Sequence, residues 1–89
     1  MDSDDISIYP NPYTSGELIL DLSKLDPHTS INLTIMDISG NLIYRASLLV
    51  PSNGEMNIVP MAVNGLKQGI YFISVQTTNS VLSKKLIIK

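Results

Sequence analysis

Cysteine is absent from all 89 residues, which excludes disulfides and cysteine-type zinc sites and leaves the redox compartment unmarked. Tryptophan is absent as well, and the aromatic set is four Tyr and one Phe. A core must therefore come from Ile, Leu and Val. The single histidine, His28, sits in the turn Asp26-Pro27-His28-Thr29 and reads as a solvated surface residue rather than a base or ligand. Charge of one sign is scarce too. Six basic against eight acidic residues give a formal net charge of −2, with no electrostatic drive toward nucleic acid or an anionic membrane. The longest apolar runs, such as Leu48-Leu49-Val50 and Leu86-Ile87-Ile88, are far too short to span a bilayer.

Catalytic signatures are missing in the same way. No Gly-x-Ser-x-Gly elbow occurs, and the five glycines are too scattered to cradle a phosphate. Asp2, Asp4 and Asp5 resemble the opening of a calcium loop, but the Gly and the distant Glu of such a loop are absent, so they read as the end of a linker. Glu17 and Asp21 share the outer face of one strand and have no constellation to shift their pKa values. The sequence thus offers no catalytic residue, no cofactor site and no metal site, and an enzyme is the weakest reading.

What is present is a β pattern. The hydrophobic fraction is 44% and the charged fraction 16%, enough to fold as one domain. Ile6–Tyr9 alternates and stops at Pro10-Asn11-Pro12. In Glu17–Leu22 the residues Leu18, Leu20 and Leu22 share a face. Ile31–Asp37 alternates with Ile31, Leu33 and Ile35 inward. Asp37-Ile38-Ser39-Gly40-Asn41 is a hairpin connection, with Gly40 the site for positive φ. Leu42–Leu49 returns with Leu42, Tyr44, Ala46 and Leu48 in one row. Glu55–Val59 is short and ends at Pro60, and Met61–Gln68 is a looser connection. Gly69 opens Ile70–Thr77, and Val81–Lys89 is the last strand. The pattern predicts an all-β fold, an Ig-like antiparallel β-sandwich of about seven strands. Residues 1–5 read as a linker, with Met1 an added start and no signal peptide. Residues 6–89 form the domain, and Lys89 reads as a natural C-terminus.

Two further features have structural readings. In Leu66-x-x-Gly69-x-Tyr71 the Tyr ring is expected inside, with its hydroxyl bonded back to the corner backbone. Lys84, Lys85 and Lys89 either guard an edge strand against aggregation or form a recognition surface.

Four patterns, in order, carry a resemblance: Ile8-Tyr9-Pro10-Asn11-Pro12; Ile35-Met36-Asp37-Ile38-Ser39-Gly40-Asn41-Leu42-Ile43; Leu66-Lys67-Gln68-Gly69-Ile70-Tyr71-Phe72-Ile73; and Lys84-Lys85-Leu86-Ile87-Ile88-Lys89. Together they resemble the C-terminal sorting domain, type A, of the type IX (Por) secretion system of Bacteroidetes. The resemblance runs from Ile6 to Lys89. Met56–Leu66 is longer than the usual link, and a Lys stands at the last position. The resemblance implies a non-catalytic address on an N-terminally fused cargo protein. Its implied partners are the outer-membrane translocon and shuttle proteins, then a sortase-like cysteine peptidase that in many family members removes the domain. The route implied is the periplasm in transit, then the cell surface or the medium. The recognition residues it implies are Tyr9, Pro10, Asn11, Pro12, Asp37, Gly40, Gly69, Tyr71, Lys84, Lys85, Leu86, Ile87, Ile88 and Lys89.

Elementary physics adds expectations. Pro10 and Pro12 lack donors, so Pro-Asn-Pro belongs outside a central strand and exposed. The last strand, at an edge, would offer unpaired backbone groups and a Lys-flanked apolar strip to a receptor by strand addition. Trimming Leu86–Lys89 would then abolish export while the rest of the fold survives in part. The competing readings are an Ig-like or fibronectin-III-like adhesion or spacer module, with more domains after Lys89, and a small carbohydrate-binding module, which needs exposed aromatic platforms.

Overall fold

Alternating apolar residues fold into seven strands in the computed structural model, which describes residues 6–89. The linker reading of Asp2, Asp4 and Asp5 lies outside the described residues. The strands are β1 (Ser7–Tyr9), β2 (Ile19–Asp21), β3 (Ser30–Asp37), β4 (Leu42–Leu49), β5 (Glu55–Asn57), β6 (Gly69–Gln76) and β7 (Val81–Ile88). They form a three-stranded sheet in the order β1-β2-β5 and a four-stranded sheet in the order β4-β3-β6-β7. Every strand pairing is antiparallel, so the fold is an all-β sandwich.

The pleat sends every second side chain inward. Ile8 and Leu20 from the small sheet, with the flanking Leu18 and Leu22, meet Ile31, Leu33, Ile35, Ile73, Val75 and Leu86 from the large one. Burying each such side chain is worth about 2 kcal/mol. Among the described residues no polar or charged residue is buried, and no buried side-chain polar atom lacks a partner.

Two local features depart from the simple pattern. The β3–β4 register shifts between Ile35 and Met36, so that Tyr44 faces Ile35 while Leu42 faces Met36. One extra residue on β4 breaks the alternation. Tyr44, Ala46 and Leu48 stay on the inner side, half-buried. Leu42, expected in the same row, is 54% exposed. The second feature lies in the stretch read as a loose connection. Val59–Val63 forms one π-type turn, with the Asn64 N–H bonded to the Val59 carbonyl at 2.9 Å. Pro60 stands in its first turn, where a missing N–H costs nothing. The turn brings Val63 into the core beside fully buried Ile58.

β1 lies against β7, so the two strands mark one side of the sandwich. This side carries the site described next.

Candidate recognition surface

An amide side chain has a donor and an acceptor side by side, the same pair that a strand edge presents. Asn11 uses both. Its Nδ2 donates to the Lys85 carbonyl at 2.8 Å, and its Oδ1 accepts from the Ile87 N–H at 3.0 Å. The main chain of Tyr13 continues the contact. The Tyr13 N–H donates to the Ile87 carbonyl at 2.8 Å, and the Lys89 N–H donates to the Tyr13 carbonyl at 2.9 Å. Tyr13 and Ile88 thereby form a parallel bridge. Pro10 and Pro12 flank Asn11 with cis peptide bonds at Tyr9-Pro10 and Asn11-Pro12. All three residues are exposed, whereas Tyr13 is buried and its hydroxyl donates to the Gly16 carbonyl at 2.8 Å.

This arrangement corrects two expectations about the last strand. β7 is an edge strand, but from Lys85 to Lys89 its outer edge is taken by Asn11 and Tyr13 and is not open for strand addition. Nor are Leu86–Ile88 one exposed apolar strip. Leu86 is fully buried and Ile88 nearly so, because alternation sends both into the core. Lys85, Ile87 and Lys89 are the residues turned outward on this stretch.

The sheet register then gathers the remaining patterns at the same end. Asp37 faces Tyr71 across β3–β6, and Tyr71 faces Leu86 across β6–β7. Three patterns thus share one row, with Asp37 and Leu86 two strand spacings apart, about 10 Å. Gly69 faces Ile88, Lys85 faces Phe72 and Lys84 faces Ile73. Tyr71 is buried, and its hydroxyl donates to the Lys67 carbonyl at 2.8 Å, tying β6 to the connection before it. Gly69 has φ +156°, and the nearest atom a Cβ would meet is the Tyr71 ring at 3.8 Å. Tyr9 is the residue that turns away. Its hydroxyl donates to Glu55 Oε2 at 3.2 Å on the outer face of the small sheet. Lost hydration, and then the Glu55 carboxylate, hold its phenol above the usual range.

The hairpin after β3 is built around one carboxylate. Asp37 Oδ1 accepts from the Ser39 and Asn41 amides, each at 2.9 Å, and Oδ2 accepts from Asn41 Nδ2 at 3.1 Å. The Asn41 amide above all, then its side chain, hold the Asp37 carboxyl below its ordinary range. The Gly40 N–H closes the turn on the Asp37 carbonyl at 3.0 Å, and Gly40 takes φ +89°.

The assembly joins backbone caps, two prolines and lysines in one surface. Among the described residues no group of three or more His, Cys, Asp or Glu could hold a metal. His28 lies at the far end of the sandwich, exposed, with Nε2 3.0 Å from Ser52 Oγ. A polar groove of about 170 Å³ also lies there, between Lys24–Ser30 and Thr77–Leu82. No described helix is long and apolar enough to cross a membrane.

The contacts the sequence did not reveal are those of Asn11 and Tyr13. An Asn held between two prolines is a hint, since it carries a free donor–acceptor pair on a stiff segment. Its partners are 74 and 76 residues away, and no local pattern points to them.

Comparison with protein families finds that the profile described as "Secretion system C-terminal sorting domain" matches residues 7–89. Comparison with curated proteins returns no match.

Proposed function

The chain belongs to the secretion system C-terminal sorting domain family, and from that premise we propose that it is read as a folded address. The surface read is the end of the sandwich where Asn11 caps β7. The domain is a type IX sorting signal, and its family places it on the route to the cell surface or the medium. In our reading the passenger is joined on the N-terminal side and carries the activity, while this domain is non-catalytic. Its readers are the outer-membrane translocon and shuttle proteins, met from the periplasm. A sortase-like peptidase then removes the domain.

The observation that carries this reading is the two-pronged contact of Asn11 with Lys85 and Ile87. It binds the first and last of the four patterns into one surface, and the β3–β6–β7 row adds the other two. A surface fixed by hydrogen bonds costs a receptor less ordering than a loose tail would. Pro10, Asn11, Pro12, Lys85 and Lys89 remain exposed on it.

A secretion assay tests the proposal. Residues 2–89 are fused to the C-terminus of a fluorescent protein carrying a Sec signal peptide. The fusion is expressed in a host with a working type IX system and in the same host without the translocon. The reporter is expected outside the first host alone. Asn11→Ala is expected to lower export while the domain stays folded, since two solvent-facing hydrogen bonds are worth about 1 kcal/mol each. Periplasmic retention of the unaltered fusion in both hosts would sink the reading.

A further inference from the structure

The four-stranded sheet turns one face away from the core, and that face is uneven. Register places Met36 beside Phe72 and Phe72 beside Lys85, with Ile70 beside Ile87 in the adjoining row. Phe72 is 38% exposed, and Met36, Ile70 and Ile87 are half-buried. They form a contiguous apolar strip at the end of the sheet where the four patterns meet. Toward the other end polar side chains dominate. Thr34, Ser74 and Ser83 lie in one row, and Ser47, Asn32 and Gln76 in the next, with exposed Val81 beside Gln76.

The charges on this face have one sign. Among the outward side chains within its paired strands the charged ones are Arg45, opposite Thr34, and Lys85, opposite Phe72. Both are exposed, and neither has an ion-pair partner among the described residues. This occurs in a chain whose formal net charge is −2. Scattered exposed apolar residues are ordinary, but a contiguous strip next to unpaired cations is how a protein contact is built, with an aromatic centre and a charged rim.

We infer that the Met36–Ile70–Phe72–Ile87 strip is a docking platform for an acidic, apolar segment of a partner protein. The inference rests on the sorting reading and supplies the chemistry of the reader. Apolar side chains of the partner cover Phe72 and Met36, and its Asp or Glu residues meet Lys85 and Arg45. Complementary charge sets the orientation and speeds the encounter. The strip borders the Asn11 cap through Lys85 and Ile87, so one partner can touch both.

The test uses the same fluorescent fusion in the working host. Three variants are compared with the unaltered chain: Phe72→Ser, the double variant Arg45→Glu with Lys85→Glu, and Gln76→Glu at the polar end of the same face. All four positions point outward, and the melting temperature of each purified fusion is measured alongside. Export of Phe72→Ser and of the charge-reversed variant is expected to fall at least tenfold, with melting temperatures close to that of the unaltered chain. Gln76→Glu is expected to export normally. Normal export of the charge-reversed variant and of Phe72→Ser would overturn the platform and leave the sorting reading standing. Failure of the unaltered fusion to leave the working host would overturn both. Should Phe72→Ser melt early, the charge-reversed pair decides the matter alone.

Discussion

Gly40 and Gly54 both hold left-handed backbone, at φ +89° and +78°, but their surroundings differ. Nothing lies within 4 Å of where a Gly40 Cβ would be, whereas a Gly54 Cβ would come 2.5 Å from Ser23 Cα. Gly54 is buried there, and its carbonyl accepts the Leu22 N–H. Gly40→Ala should cost conformational strain alone, about 1 kcal/mol. Gly54→Ala adds a backbone overlap that no side-chain rotation relieves, for a loss of about 3 kcal/mol or more. Urea unfolding of the two variants checks this, and equal losses would contradict it. The pair also shows what a sequence can disclose at this scale. Gly40 was legible because its partner Asp37 lies within the same hairpin. What demands Gly54 is the backbone at Ser23, which lies outside its own turn. Asn11 is the same case at the recognition surface.

At the level of the element, the hairpin between β3 and β4 has a pH-dependent part. Hydrogen bonds from Asn41 and Ser39 lower the folded pKa of Asp37. The unfolded chain therefore takes up this proton first as pH falls. The stabilisation is complete above the ordinary carboxyl value of about 4 and is lost as pH drops through the lower folded value. Asp37→Asn should accordingly be less stable than the unaltered chain at neutral pH, and the gap should shrink steadily below about pH 4. Denaturant titrations across that range measure it, and a gap that stays constant would show that the charge is not what the hairpin uses. The strands themselves were almost fully readable, because period-two alternation and Gly, Pro and Asn turns are local signals. Leu42 was misplaced because a bulge leaves no trace in the alternation that precedes it. The π-type turn escaped because a single turn is too short to show a helical period.

For the whole molecule, β7 serves the core and the surface at once. Leu86 and Ile88 fill the interior, Lys85 and Ile87 meet Asn11, and the entire strand completes the sheet beside β6. Losing one buried Leu to Ala costs about 2–5 kcal/mol, against a total stability of about 5–15 kcal/mol for a domain of this kind. Removing Leu86–Lys89 should therefore abolish the cooperative thermal transition, a larger effect than the partial survival of the fold expected from sequence. Asn11→Ala should keep that transition at a slightly lower temperature. Circular dichroism melts separate the two, and a trimmed domain that melted like the intact one would refute the argument. The recognition surface was legible as four patterns in order, but not as one place. Its unity comes from strand register and from one amide, and neither is written in a local stretch of sequence.

The same amide ties the surface to the history of the chain. Asn11 leaves the ribosome before the residues it holds, which follow 74 and 76 residues later. A product broken off anywhere before Lys85 leaves Asn11 with nothing to grip, however well its other strands have paired. The surface works in this respect like a seal across the join of an envelope, intact only when the whole message is inside.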